Sequence, residues 1–222
     1  MTTPDISSTC VILLHGLARS SLSMQVMEFV LKKQGYCVTN INYPSRQLPI
    51  SELASIAIEE GLRKCRLHPP ETIHFVTHSL GGILVRQYLQ QNSIPELKRV
   101  VMLGPPNQGS EAVDKLKHFQ VYRLVNGPAG YDLGTSEQDT PKKLGPVNFE
   151  LGVIAGKKSM NPLLSSLITG EDDGKVSVES TKIEGMNDFI TLPITHTFMM
   201  LNRETIRQTI HFLKSGCFDH SD

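Results

Sequence analysis

Four short apolar runs within the first 103 residues decide most of what this chain can become: Cys10–Leu14, Tyr36–Ile41, Thr72–Val76 and Lys98–Leu103. Cys10–Leu14 (CVILL) is too continuously apolar for a half-exposed strand and fits one covered on both faces. Between the runs lie longer segments with helical spacing. In Ser20–Gln34 the residues Leu22, Val26, Met27, Val30 and Leu31 recur along one side. Gly35 follows where a helix end accepts a positive φ. Ser51, with Glu52 in the first turn, is placed to cap a helix running to about Cys65. Leu80–Asn92 reads as a third helix. Strand and helix therefore alternate through residues 10–103, which predicts an α/β fold with a mostly parallel sheet and helices on both faces. In such sheets the reactive loops follow the carboxyl ends of the strands.

Composition removes several function classes. The 222 residues carry 22 basic and 22 acidic side chains, so no net field attracts nucleic acid or an anionic membrane. The balance fits a small uncharged or weakly charged substrate better than a polyanion. With 39% hydrophobic and 20% charged residues the chain reads as globular, and its length as one domain. No apolar run approaches the ~18 residues of a membrane span. No Lys or Arg precedes Arg19, and the run Val11–Leu14 is short, so the N-terminus does not read as a secretory signal and the expected location is cytoplasmic. Cys10, Cys37, Cys65 and Cys217 are far apart and form no CxxC, which predicts four buried thiols rather than bridges. No ligand cluster has metal spacing, so neither a metal nor an organic cofactor is expected.

The alternation breaks between Gly104 and Pro146, a segment punctuated by prolines and glycines. One helix is expected inside it, with Ser110 as cap, Glu111 and Asp114 early, and Lys115, Lys117 and Arg123 late. Val113, Leu116 and Leu124 would share its apolar side. So long a connection reads as a lid or binding loop. The sheet is expected to resume at Phe149–Ala155 and Asp188–Leu192, with a closing helix from about Phe198 to Leu213. The domain expectation is one unit over 1–222, with 104–146 as a cap insertion.

Chemistry concentrates at strand ends. The third run leads into Thr77-His78-Ser79-Leu80-Gly81-Gly82, immediately before a helix. This nearly matches G-x-S-x-G, in which a serine on a sharp strand-to-helix turn projects its hydroxyl above the sheet. Thr77 stands where the first glycine is expected, and its β-branch would crowd the turn. The first run ends in His15-Gly16-Leu17, where the amides of Leu17 and Leu80 could together form an oxyanion hole. His15, before a tight glycine turn, is read as orienting that loop through hydrogen bonds. An activated serine needs a base, and the base a carboxylate, in the chain order Ser, acid, His. Glu171, Asp172 and Asp173 compete for the acid, with Asp173 favoured by its place before Gly174. His196 lies between the last strand and the closing helix, whereas His211 and His220 are too far along the chain. Leu17, Met199, Phe119, Val121 and Tyr122 are the candidates for an acyl pocket.

With HGL, NYPS (Asn42–Ser45), FVTHSLGG (Phe75–Gly82), GPPNQGSE (Gly104–Glu111), DGKV (Asp173–Val176) and His196 in view, the chain resembles the α/β-hydrolases of the lipase and carboxylesterase kind from about Cys10 to Phe212. The departures are Thr77, the lack of an HGGG-type oxyanion loop, and no recognisable leader. In bacterial lipases of similar pattern the catalytic Asp opens a D-G-x-V run, which matches Asp173. The resemblance implies a central sheet of six or so strands and a serine hydrolase acting on a small acyl ester. Ser79 would be the nucleophile, His196 the base, Asp173 the orienting acid, and Leu17 and Leu80 the oxyanion donors. A thioesterase, amidase or acyltransferase on the same triad is the second expectation. A non-catalytic binding protein on this scaffold is the third, although no triad member is missing.

Overall fold

The computed structural model of the protein describes residues 8–160 and 162–221. Its frame is a six-stranded parallel sheet: β1 (Thr9–Leu14), β2 (Cys37–Ile41), β3 (Thr72–His78), β4 (Leu97–Leu103), β5 (Leu151–Gly156) and β6 (Asp188–Leu192), in the order β2-β1-β3-β4-β5-β6. The order reverses at β1, where the chain first runs outward to β2 and then returns to β3. A crevice therefore opens above the ends of β1 and β3, the usual place for a ligand in such sheets.

β1 is buried at all six positions, as its unbroken apolar run predicts. Alternate residues serve the two faces. Cys10, Ile12 and Leu14 join one core with α2 (Ile50–Cys65) and α3 (Leu80–Leu89). Val11 and Leu13 join a second core with α1 (Gln25–Lys33) and α9 (Arg203–Ser215). The two-residue period of a strand thus sorts one sequence into two helix layers.

Several local expectations are corrected. The Ser20–Gln34 helix divides into a 3-10 turn, Ser21–Met24, and α1. Gly35 does take the positive φ, 95°. Pro49, not Ser51, is the N-cap residue of α2. The closing helix is a 3-10 turn, His196–Leu201, followed by α9, because Asn202 caps α9 by accepting from the Thr205 amide at 3.0 Å.

The single helix expected in the insertion is two: α4 (Glu111–Leu116) and α5 (Gln120–Tyr131), followed by the short α6 (Thr140–Lys143). Ser110 caps α4 as expected, accepting from the Val113 amide. α5 kinks at Gly127, whose φ of 66° precedes Pro128. The remaining short helices are α7 (Pro162–Ser165) and α8 (Val178–Thr181).

The cysteine expectation also fails. Cys10 and Cys65 form a disulfide, while Cys37 and Cys217 are free and exposed. The reason is tertiary: α2 packs back along β1, so its last residue meets a strand residue 55 positions earlier. Spacing along the chain carries no trace of that meeting. Among the described residues no helix is long and apolar enough to cross a membrane.

Candidate active site

Ser79 sits between β3 and α3 with φ 52° and ψ −119°, a conformation that side-chain-bearing residues rarely adopt. Its amide donates to the Leu103 carbonyl at 2.9 Å, and its carbonyl accepts from the Gly82 amide at 3.0 Å, so the turn is held at both ends. Two glycines make the turn sterically possible. A Cβ on Gly81 would stand 2.8 Å from the Leu14 carbonyl oxygen, and one on Gly16 2.7 Å from His78 Nδ1. Thr77 does not crowd the turn. It is the penultimate residue of β3, fully buried, and its hydroxyl points across to the Val101 carbonyl on β4.

Asp173 and His196 meet across the top of β5 and β6. His196 Nδ1 donates to Asp173 Oδ2 at 2.7 Å, and the His196 amide donates to the Asp173 carbonyl at 2.9 Å. Oδ1 of Asp173 accepts the amides of Lys175 (3.0 Å) and Val176 (2.9 Å). The carboxylate is completely sealed from water, so every oxygen it presents is committed. Its neighbours do other work. Asp172 accepts the Gly174 amide at 2.6 Å and the Ser165 hydroxyl, closing the turn, while Glu171 is exposed.

Ser79 and His196 line one cavity of about 250 Å³. No hydrogen bond joins the Ser79 hydroxyl to His196 among the described residues. Leu17 lines the same cavity, and Leu80 opens α3, where the first amides of a helix have no intrahelical partner. The loop carrying Leu17 is anchored from the side. His15 stacks on Tyr43 with ring centroids 4.0 Å apart, donates from Nδ1 to the Gly16 carbonyl, and accepts the Tyr43 amide at Nε2. Burial lowers its pKa, consistent with this neutral, loop-orienting place. Ser45 of the NYPS segment accepts the Ala18 amide at 3.1 Å.

The acyl-pocket candidates divide. Tyr122 lines the cavity, and burial raises its phenol pKa to about 12. Phe119 and Val121 do not; they are 62% and 72% exposed, at the start of α5 on its outer side. Met199 does not either, because the 3-10 turn after His196 drives it into the core with Val11, Leu13 and Ile154. The apolar lining comes instead from Leu17, Ala112, Val113, Leu116, Leu133 and Val176. Three further residues escaped the sequence. His78, Arg19 and Lys175 carry no assigned role in the sequence, yet all three line the cavity.

Comparisons agree with this architecture. The mature lipase BlEst2 of Bacillus licheniformis superposes with a TM-score of 0.71 at 19% identity, covering 95% of this chain and 94% of that one. The lin2722 gene product of Listeria innocua gives 0.63 at 18% identity (96% and 99%), and the Staphylococcus hyicus lipase 0.64 at 11% (96% and 96%). At these identities the likeness speaks to the fold. No curated protein matches the sequence. The family description palmitoyl protein thioesterase matches residues 10–140, more than half of the chain and the part that holds both the Gly16 loop and Ser79. The chain therefore belongs to the palmitoyl protein thioesterase family, hydrolases of the lipase, esterase and thioesterase type on the α/β-hydrolase fold.

Proposed function

We propose that this protein is a serine hydrolase that cleaves carboxylic esters through Ser79, His196 and Asp173. The observation that carries the reading is the sealed 2.7 Å contact of His196 Nδ1 with Asp173, facing a cavity shared with a serine on a strained turn. Because Asp173 accepts at Nδ1, the other ring nitrogen is left with its lone pair free. In the active form the Ser79 hydroxyl would donate to that nitrogen; such contacts are often loose before substrate binds.

Ser79 Oγ then attacks the acyl carbon as His196 takes its proton, and the carbonyl oxygen becomes an oxyanion. The amides of Leu17 and Leu80 hold that charge. His196 returns the proton to the leaving alcohol, an acyl-enzyme remains, and water cleaves it by the same steps. The segment 104–146 acts as the cap that supplies the apolar lining for the acyl chain, in one unit with the rest of the chain.

The family match favours a second reading, a thioesterase on the same residues. A panel of chromogenic oxygen esters and matched thioesters, run on the wild type and Ser79→Ala, separates the two by the better substrate. Activity that survives intact in Ser79→Ala overturns both.

A further inference from the structure

The cavity at Ser79 is lined by two side chains of fixed formal charge, and both are positive. Arg19 lies in the loop after β1 and Lys175 in the turn that holds Asp173. The nearest carboxylate, Asp173, is sealed and committed to His196 and two amides. Arg19 spends one donor on the Thr197 carbonyl at 3.2 Å. The Lys175 backbone donates to Asp173 and accepts from the Ser110 hydroxyl, but its side-chain ammonium has no hydrogen-bond or ion-pair partner among the described residues. Burial lowers the pKa of each; at Lys175 repulsion from Arg19 adds to the lowering and attraction to Asp173 opposes it.

Cations elsewhere in the fold that are largely withdrawn from water are compensated: Arg99 by Glu150, Lys117 by Asp114 and Asp139, and Arg86 by four carbonyl oxygens. Two neighbouring cations repel each other and make the local potential positive, so an anion bound between them is favoured.

Their position in the cavity says what that would be. Arg19 is tied to the residue after His196, and Lys175 is two residues past Asp173, so both flank the histidine side. That is the side of the leaving group, because His196 hands it the proton. The apolar lining from Ala112, Val113 and Leu116 comes from α4, which puts the acyl chain on the α4 side, away from the leaving group. A phosphate monoester carries between one and two negative charges near neutral pH, enough for both cations, and accepts from an arginine fork and a lysine together.

We propose that Arg19 and Lys175 form a subsite for a phosphate group carried by the leaving alcohol or thiol of the substrate. This rests on the hydrolase reading above. The leaving group could be an oxygen ester of a glycerol phosphate or a thioester of a phosphorylated pantetheine, and the two share this chemistry.

The test compares kcat/KM for two pairs with one common butyryl group: butyryl glycerol 3-phosphate against butyryl glycerol, and S-butyryl phosphopantetheine against S-butyryl pantetheine. In at least one pair the phosphorylated member is expected to be preferred about tenfold or more, with the preference shrinking as salt rises. The pair that shows it names the source. The preference should fall towards one in Lys175→Gln, which has no structural hydrogen bond to lose, and in Arg19→Gln, with partial recovery in Arg19→Lys.

A ratio at or below one in both pairs, or a ratio that neither glutamine variant lowers, overturns the proposal. Calorimetry of glycerol 3-phosphate and phosphopantetheine on Ser79→Ala gives a reading independent of turnover. Binding that Lys175→Gln abolishes supports the subsite, and absence of binding of both counts against it. Ser79-dependent turnover of the neutral members without phosphate preference sinks the subsite alone. Turnover unaffected by Ser79→Ala sinks the hydrolase reading instead.

Discussion

His78 Nε2 donates to the backbone carbonyl of His196 at 3.0 Å, so the residue preceding the candidate nucleophile holds the loop that carries the candidate base. Burial lowers the His78 pKa well below the ordinary histidine range, and the nearby His196 ring, 4.8 Å away, adds to the effect. His78 is therefore neutral, and the proton sits on the nitrogen that makes the bond. Its Nδ1 has no hydrogen-bond partner among the described residues and lies against Gly16. His78→Ala is expected to lower kcat by as much as about 100-fold with little change in KM, because the loop that aims His196 is released. His78→Gln keeps a donor and should recover part of the loss. Steady-state kinetics of the two variants decide it; equal losses in both would refute the tether.

Asp173 and Asp172 are adjacent but their partners differ. Asp173→Asn removes the acceptor that sets the His196 tautomer, and should reduce kcat by about 10⁴-fold, as in other serine triads. Asp172→Asn weakens only the turn closed by Ser165 and Gly174, so it should cost far less. Measured kcat values in the reverse order would move the acid one residue back.

Among the described residues Arg86 has no carboxylate partner. It is 2% exposed and donates to the carbonyls of Asn107, Pro141 and Gly145 and to the Asn107 side chain, tying α3 to both ends of the insertion. Desolvation lowers its pKa to about 10. Arg86→Met strands several buried acceptors at once and should destabilise the protein by about 3 kcal/mol. Urea unfolding would register this as a lower midpoint at constant slope. A change under about 0.5 kcal/mol would show that water replaces the guanidinium without penalty.

Stability should fall as the solution is acidified through the histidine range. His15, His74 and His78 are buried with lowered pKa values, that of His74 at about 3, mainly because burial disfavours the charged ring. Below about pH 6.5 the unfolded chain binds protons that the folded chain refuses, so folding is progressively opposed. For His74 this window extends down to about 3. Each such histidine removes up to about 1.4 kcal/mol per pH unit below pH 6. Urea midpoints at pH 7, 6 and 5 should decline in that order; a flat series would refute buried neutral histidines.

The thiols offer a direct count. With Cys10–Cys65 bridged and Cys37 and Cys217 exposed, a thiol reagent should titrate two groups in the native protein and four after unfolding and reduction. The bridge closes a loop of 55 residues' separation, so reduction should lower stability by about 2–4 kcal/mol. Four reacting thiols before reduction would restore the unbridged expectation.

Strand order along the chain, the burial of β1 and the strand–turn–helix setting of Ser79 were legible because they are local. Period and turn chemistry are written in neighbouring residues. The choice of Asp173 over Asp172 was half legible: Gly174 marked the turn, but only the fold shows which carboxylate faces His196. The two-helix form of the insertion was missed because the break at Lys117–Phe119 carries no proline or glycine.

What the sequence determined by itself is the α/β class, the loop positions at which chemistry gathers, and the residue types waiting there. What the tertiary structure alone decided is which of those residues meet. The Cys10–Cys65 bridge, the His78 tether, the inward turn of Met199 and the pairing of Arg19 with Lys175 each join segments distant in the chain. Such meetings depend on how helices lie across the sheet, and that is set by the summed packing of two cores rather than by any local run of residues.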